Sequence, residues 1–376
     1  MNTQLKSFTF IDLFSGCGGL SCGLEMAGHR CLLGVDANKD AIDSFAANHH
    51  EAEVYLGDIK KLSEKKLRAL LASQKVDMVV GGPPCQGFST VGKGKVEDER
   101  NHLFKEFVRI VKVTRPKVIL FENVTGLMAR KNQVVLQKIF KYFEKLGYNM
   151  DARVLCAEEF GVPEKRRRTI IMGVMGGECL FPVATHGSRA RKKVKTVAEA
   201  FKNLKALDGL THNHNLSLAQ IKKIEDRERL KFIPAGKGIR YEEDEKNYLP
   251  KKLHYGVDWK KLRENRFRQT RLQRLPLLEP SPTILTARTS YYHPVENRYL
   301  TPREAAACQS FPNDFIFHGS QTAMFRQIGN AVPPGLAEAI GQAIKKIDFK
   351  KGFVKKKTED TIVGKNAFHY NEPTYL

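Results

Sequence analysis

Three groups of residues in this 376-residue chain have types and spacing suited to chemistry, and the first is a cysteine on a stiff turn. Gly81-Gly82-Pro83-Pro84-Cys85-Gln86-Gly87-Phe88-Ser89 follows an apolar run. The prolines stiffen the chain and the glycines admit an unusual backbone path. A thiol held there suits a nucleophile, because nearby N–H groups or cations favour the reactive thiolate. The ordinary role of cysteine is a small buried apolar residue; the local sequence argues against it here. Val91-Gly92-Lys93-Gly94-Lys95 reads as a mobile loop that closes on phosphate, or as a solvated loop. The second group is Glu122-Asn123-Val124, after Ile119-Leu120-Phe121. A carboxylate at the mouth of a buried sheet suits a general acid if its pKa is raised, with helix capping as the other reading. The third, Arg166-Arg167-Arg168 after Val162-Pro163, is either a solvated patch or a set of guanidinium groups offered to a base or phosphate.

A cofactor site is suggested near the N-terminus. Asp12-Leu13-Phe14-Ser15-Gly16-Cys17-Gly18-Gly19 follows an apolar run and opens a helical segment, where small residues let backbone approach a ligand. Asp36, twenty residues after Gly16, suits ribose hydroxyls, and Asp58 in Gly57-Asp58-Ile59 suits an adenine amino group. This fits any adenosine cofactor. The dinucleotide fingerprint G-x-G-x-x-G needs Gly at position 21, where Ser21 stands. A merely structural glycine turn is the alternative, and the two acidic strand ends argue against it.

These residues need elements to position them. Residues 8 to about 180 alternate between strands and helices: strands at Phe8–Phe14, Cys31–Val35, Val54–Leu56, Val76–Val80 and Val118–Phe121, with helical spacing at Lys39–Asn48. The continuous β-branched runs are of the buried parallel kind, so a doubly wound, mostly parallel α/β sheet is expected. Ala305–Phe311 and Leu336–Ile347 again read as helices, and a Lys-rich tail follows Lys345.

Composition bounds the rest. With 41% hydrophobic and 28% charged residues the chain is neither disordered nor membrane-spanning, and no stretch approaches the ~18 apolar residues of a transmembrane helix. Met1–Phe8 lacks the basic and apolar pattern of a secretory signal. Seven scattered cysteines without C-x-x-C pairs argue against a disulfide framework or a zinc site, and no metal is expected. The net charge of +22 calls for a polyanionic partner. Between His186 and Leu275, 24 Lys and Arg face 11 Asp and Glu, and the same stretch holds the one tryptophan, Trp259.

Together these motifs resemble the DNA (cytosine-5)-methyltransferases of bacterial restriction-modification systems. The resemblance rests on Asp12–Gly19, Pro83-Pro84-Cys85-Gln86, Glu122-Asn123-Val124, Gly161-Val162-Pro163 with Arg166 and Arg168, Leu300-Thr301-Pro302-Arg303-Glu304-Ala305-Ala306, and Gln327-Ile328-Gly329-Asn330-Ala331-Val332-Pro333-Pro334. The blocks stand in the family's order. The resemblance implies a Rossmann-like catalytic domain over 1–183, completed by 318–376, and a smaller DNA-recognition domain over 184–317. It implies S-adenosylmethionine as cofactor, S-adenosylhomocysteine as product, and a flipped-out cytosine in double-stranded DNA as substrate. Cys85 would add to ring carbon 6, Glu122 would act at N3, and Arg168 with Arg166 would bind O2. Cofactor contacts would come from Phe14, Gly16, Gly18, Gly19, Asp36, Asp58, Pro83 and Asn330. DNA contacts would come from Gln86, Ser89, Lys93, Lys95 and the Thr283-Ile284 pair. One departure stands out: the arginine block usually begins with Gln, and here Glu164 is found.

A tRNA cytosine-5 methyltransferase shares this catalytic core. Its branch carries a Cys-Phe-Thr tripeptide that is absent here. A catalytically dead DNA-binding module would lose Cys85 or Glu122, and a nicotinamide dehydrogenase fails on Ser21. The expectation is a monomeric, cytoplasmic prokaryotic enzyme associated with the nucleoid through DNA. A cognate endonuclease would act beside it without a stable complex.

Overall fold

The apolar runs of the N-terminal half become the strands of one sheet in the computed structural model, which describes residues 6–83, 100–188, 190–202, 204–207, 209 and 211–350. β1 (Thr9–Leu13), β2 (Arg30–Asp36), β3 (Glu53–Leu56), β4 (Met78–Gly81) and β5 (Val118–Asn123) pair in parallel, in the order β3-β2-β1-β4-β5. Two nine-residue strands close the sheet in antiparallel fashion: Arg167–Met175 beside β5, then β6 (Tyr148–Cys156) at the edge. The doubly wound, mostly parallel sheet expected from sequence is thus present. β4 and the first four residues of β5 are wholly buried, which is why they read as continuous apolar runs.

Helices flank the sheet: α1 (Gly19–Met26), α2 (Lys39–Asn48), α3 (Glu64–Leu70), α4 (Arg100–Thr114) and α5 (Gln133–Glu144). α2 starts where the Asn38 side chain accepts from the Ala41 N–H at 3.0 Å. α5 buries Leu136, Ile139, Phe140 and Phe143, one face at helical spacing. Phe143 meets Phe121 of β5 at 5.9 Å between ring centroids, and Phe107 of α4 meets Phe121 at 5.4 Å. The C-terminal helix Pro334–Ile344 packs on α1 so closely that a Cβ on Gly23 would stand 2.2 Å from Pro334 O. Among the described residues no helix is long and apolar enough to cross a membrane.

The chain divides into two compact units. The first comprises 1–157, 167–184 and 332–376, and the second 158–166 and 185–331. The second holds an antiparallel ribbon (Ile239–Tyr241 with Arg266–Arg271), a two-residue parallel pair (Glu164–Lys165 with Ser281–Pro282) and short helices. Its core gathers Leu230, Ile239, Trp259, Phe267, Leu272 and Tyr292. Residues 318–331 belong to this unit. Helix Gln321–Asn330 packs there against Pro302–Cys308, and the buried Gln309 donates Nε2 to Ile328 O at 2.6 Å.

Candidate active site

Strand order in the first unit reverses between β1 and β4, and in such sheets ligands bind outside the carboxyl ends at that switch point. β4 approaches β1 so closely there that a Cβ on Gly81 would stand 2.0 Å from Leu13 O. The loop after β1 is bent sharply. Phe14 is left-handed at φ 61°, a strained setting for an aromatic residue, and Gly18 has φ 92°. A side chain on Gly18 would run into His49 Nε2 at 2.2 Å, so the loop lies flat on α2. Asp36, at the end of β2, fixes this loop by accepting from Gly16 N at 2.9 Å and from Asn38 N at 2.8 Å. A carboxylate offers about four lone-pair sites, so acceptor capacity remains for hydroxyl donors. Asp58 is exposed at the end of β3, its Oδ1 accepting from Lys60 N at 2.9 Å.

Beneath the loop lies a group that sequence reasoning gave no role. Asp12 is 1% exposed; its Oδ2 accepts from the Ser21 hydroxyl at 2.7 Å, while Oδ1 has no hydrogen-bond partner among the described residues. Burial pushes its carboxyl up to about 7 despite the Ser21 hydrogen bond. Ser21, the residue that breaks the dinucleotide fingerprint, is therefore the partner of a buried acid. His49 and Glu25 pair at 2.6 Å nearby. The signal in the sequence was an aspartate inside an apolar strand.

The chemistry-bearing residues of the next loops meet at the mouth of β4 and β5. Glu122 and Arg168 form an ion pair, Nε to Oε1 at 2.6 Å, with side chains 14% and 16% exposed. Antiparallel pairing of Asn123 with Thr169 sets Arg168 next to the end of β5, which explains the contact. Gly82 stands beside the same carboxylate: a Cβ there would lie 3.6 Å from Glu122 Oε2. The buried Pro83 accepts from Asn123 Nδ2 at 3.3 Å through its carbonyl, tying the β4 loop to β5. Cys85, Gln86, Ser89, Lys93 and Lys95 lie outside the described residues.

Arg166 is in a different setting from Arg168. It is fully buried in the second unit, and its Nη2 donates to Gly329 O and Ala331 O, each at 2.9 Å. Glu164, also fully buried, lies 3.8 Å from Arg166 Nη1, and its Oε1 accepts from Ile284 N at 2.5 Å. The acid where an amide is usual thus faces a buried guanidinium and links three segments. Ile284 is buried, and Thr283 donates its hydroxyl to Lys165 O at 2.9 Å. Asn330 is exposed at the end of helix Gln321–Asn330.

Residues 8–346 match the family model described as C-5 cytosine-specific DNA methylase. The chain is 37% identical to the Type II methyltransferase M1.HphI of Haemophilus parahaemolyticus over 350 residues, covering 91% of this chain and 88% of that protein. It is 35% identical to M.NgoFVII of Neisseria gonorrhoeae, covering 89% and 85%. Among solved structures it resembles a DNA modification methyltransferase encoded within a prophage (E. coli), with TM-score 0.67, 24% identity, and 90% and 98% coverage. A DNMT2 of Spodoptera frugiperda shares the fold at TM-score 0.60 and 17% identity, covering 90% and 98%.

Proposed function

This chain belongs to the C-5 cytosine-specific DNA methylase family, and we propose that Cys85 is its nucleophile, with Glu122 and Arg168 on the cytosine ring. The protein is a DNA (cytosine-5)-methyltransferase using S-adenosylmethionine, with S-adenosylhomocysteine as product. The switch-point loops fit that cofactor. Among the described residues nothing lies within 4 Å of where a side chain on Gly16 would stand. Asp36 retains acceptor capacity for ribose hydroxyls, and Asp58 retains Oδ2 for the adenine amino group. Phe14, Gly18, Gly19 and Pro83 would line the same space. Once bound, the cofactor supplies an electrophilic methyl group.

The residues of the chain do the rest. The Cys85 thiolate adds to carbon 6 of the cytosine and makes carbon 5 nucleophilic. Glu122, in its protonated form, gives its proton to N3 as the thiolate adds, and Arg168 binds O2 and the charge that develops there. After carbon 5 takes the methyl group, its proton passes to a solvent base, the freed electron pair expels Cys85 as thiolate, N3 returns its proton to Glu122, and aromaticity is restored. A stacked cytosine is out of reach, so the target is flipped out at a cost of about a few kcal/mol. Gln86, Ser89, Lys93 and Lys95 are assigned to the DNA-facing loop. Arg166 is assigned a positioning role: its Nη2 holds the backbone carbonyls of Gly329 and Ala331.

The observation that carries this reading is the Glu122–Arg168 pair beside Gly82, at the sheet mouth where the Cys85 loop begins. Target recognition is assigned to 184–317, and catalysis to 1–183 with 318–376. The Type II relatives support a role in restriction-modification; that the enzyme is a cytoplasmic monomer acting beside an endonuclease it does not stably bind is part of the proposal. A tRNA substrate is less well supported, because the DNMT2 likeness is one of fold. Bisulfite sequencing of duplex DNA treated with enzyme and S-adenosylmethionine tests this: protected cytosines in one fixed context are expected. Methylation of RNA but not DNA would contradict it. Cys85→Ser should bind DNA yet transfer little methyl, and near wild-type turnover overturns the nucleophile assignment.

A further inference from the structure

The ribbon of the second unit is paired only at its ends, with Arg266 opposite Tyr241 and Arg271 opposite Ile239. Between those pairs the four residues Phe267–Thr270 stand against the single residue Arg240, so the register shifts and the strand carries a bulge. Bulges re-aim side chains, and this one is held firmly. Phe267 turns inward, 4.6 Å from Trp259 and 5.4 Å from Tyr255 between ring centroids. Trp259 is fixed in turn by donating Nε1 to the buried Glu245 at 3.0 Å. Three non-glycine residues in left-handed conformation bracket the strand: Glu264 (φ 57°), Asn265 (φ 48°) and Leu272 (φ 51°). Such a backbone is strained for a bulky residue, and strain that its surroundings hold in place is typical of functional segments.

The bulge sorts its arginines. Arg266 donates to Glu264 at 2.7 Å and Arg263 lies 3.7 Å from the same carboxylate. Arg271 stacks over Phe267 at 4.1 Å and over Tyr255 at 5.0 Å. Arg268 and Gln269 are exposed, and among the described residues neither has an ion pair, hydrogen bond or ring contact. Solvated side chains would need no such anchoring. An arginine and a glutamine side by side have the donor and acceptor patterns that bind guanine O6/N7 and adenine N6/N7 with paired hydrogen bonds. A two-stranded ribbon also fits the major groove.

We propose that the bulge Phe267–Thr270 is a specificity-determining element, in which Arg268 reads a guanine and Gln269 an adjacent adenine through the major groove. This rests on the reading of the chain as a DNA cytosine methylase. The test is methylation of a random-sequence duplex library followed by bisulfite sequencing, for the wild type and for Arg268→Ala, Arg268→Lys and Gln269→Ala. Arg268→Ala should accept any base pair at one position where the wild type requires G·C, discrimination there falling about ten- to a hundredfold. Arg268→Lys, which keeps the charge but not the fork, should relax the same position, and Gln269→Ala a neighbouring A·T position. Unchanged preference at every position, with uniformly weaker binding and a salt slope lower by about one, marks a phosphate contact and overturns the proposal. Full discrimination in Arg268→Lys overturns it as well. A wild-type enzyme that methylates nothing in the library overturns the underlying methylase reading, and the proposal with it.

Discussion

Asp12, next to last in β1, is buried with Ser21 as its hydrogen-bond donor. Its carboxyl is raised to about 7 in the folded protein, against an ordinary value of 3.8. Between about pH 4 and pH 7 the unfolded chain ionises this group while the folded chain holds the proton, so its contribution to stability falls as pH rises through that window. Asp12→Asn removes the group. The variant's thermal midpoint relative to wild type should therefore improve from pH 4 to pH 7 and level off above it. A difference that stays constant across that range contradicts the assignment. Three adjacent arginines make a second point at this scale. Arg166 and Arg168 are indistinguishable as letters, and only pairing separates them. Residue 168 continues the long antiparallel strand beside Glu122, whereas residue 166 stands in the break between two strands and turns to the carbonyls of 329 and 331.

Glu164 shows how one side chain can join elements. Through Ile284 N and the Arg166 guanidinium it links the strand pair Glu164–Lys165/Ser281–Pro282 to the turn after helix Gln321–Asn330. Removing one partner of a fully buried pair leaves an uncompensated charge, which costs about 3–5 kcal/mol. Glu164→Leu should lose stability of that size in urea unfolding. Glu164→Gln, which keeps an acceptor for Ile284 N, should lose clearly less. Both variants remove the charge, so equal losses would mean that the acceptor for Ile284 N contributes nothing and the uncompensated Arg166 carries the whole cost. Most elements were legible because buried parallel strands are continuous apolar runs; the helix Lys39–Asn48 appears with its expected bounds. β4 is shorter than the run suggests and starts at Met78, after Asp77, whose carboxylate accepts from Thr9 N and Thr9 Oγ1 at the entrance to the ladder. The antiparallel reversal of Arg167–Met175 was not legible, since a strand's own residues do not encode its neighbour's direction. The buckled ribbon was hidden for the same reason: RFRQTR carries no mark of which residues lack partners.

At the scale of the whole molecule, charge and chemistry belong to different units. The stretch His186–Leu275, with 24 basic and 11 acidic residues, falls within the second unit, while Glu122, Arg168 and the switch-point loops fall within the first. Binding to duplex DNA should therefore depend steeply on salt, with log K falling by about 0.9 for each phosphate neutralised per unit of log salt concentration. Fluorescence anisotropy over a salt series measures this, and a flat plot would rule out phosphate contacts. The proposed reaction rests on Cys85. Release of that cysteine requires loss of the proton on carbon 5, and a fluorine there cannot leave as a cation. A duplex containing 5-fluorocytosine at the target should therefore trap the enzyme in a covalent complex. The predicted result is a complex formed only with S-adenosylmethionine present, absent in Cys85→Ser, and mapped by peptide mass spectrometry to Cys85. Attachment at another residue, or no complex while ordinary duplex is methylated normally, would contradict the mechanism.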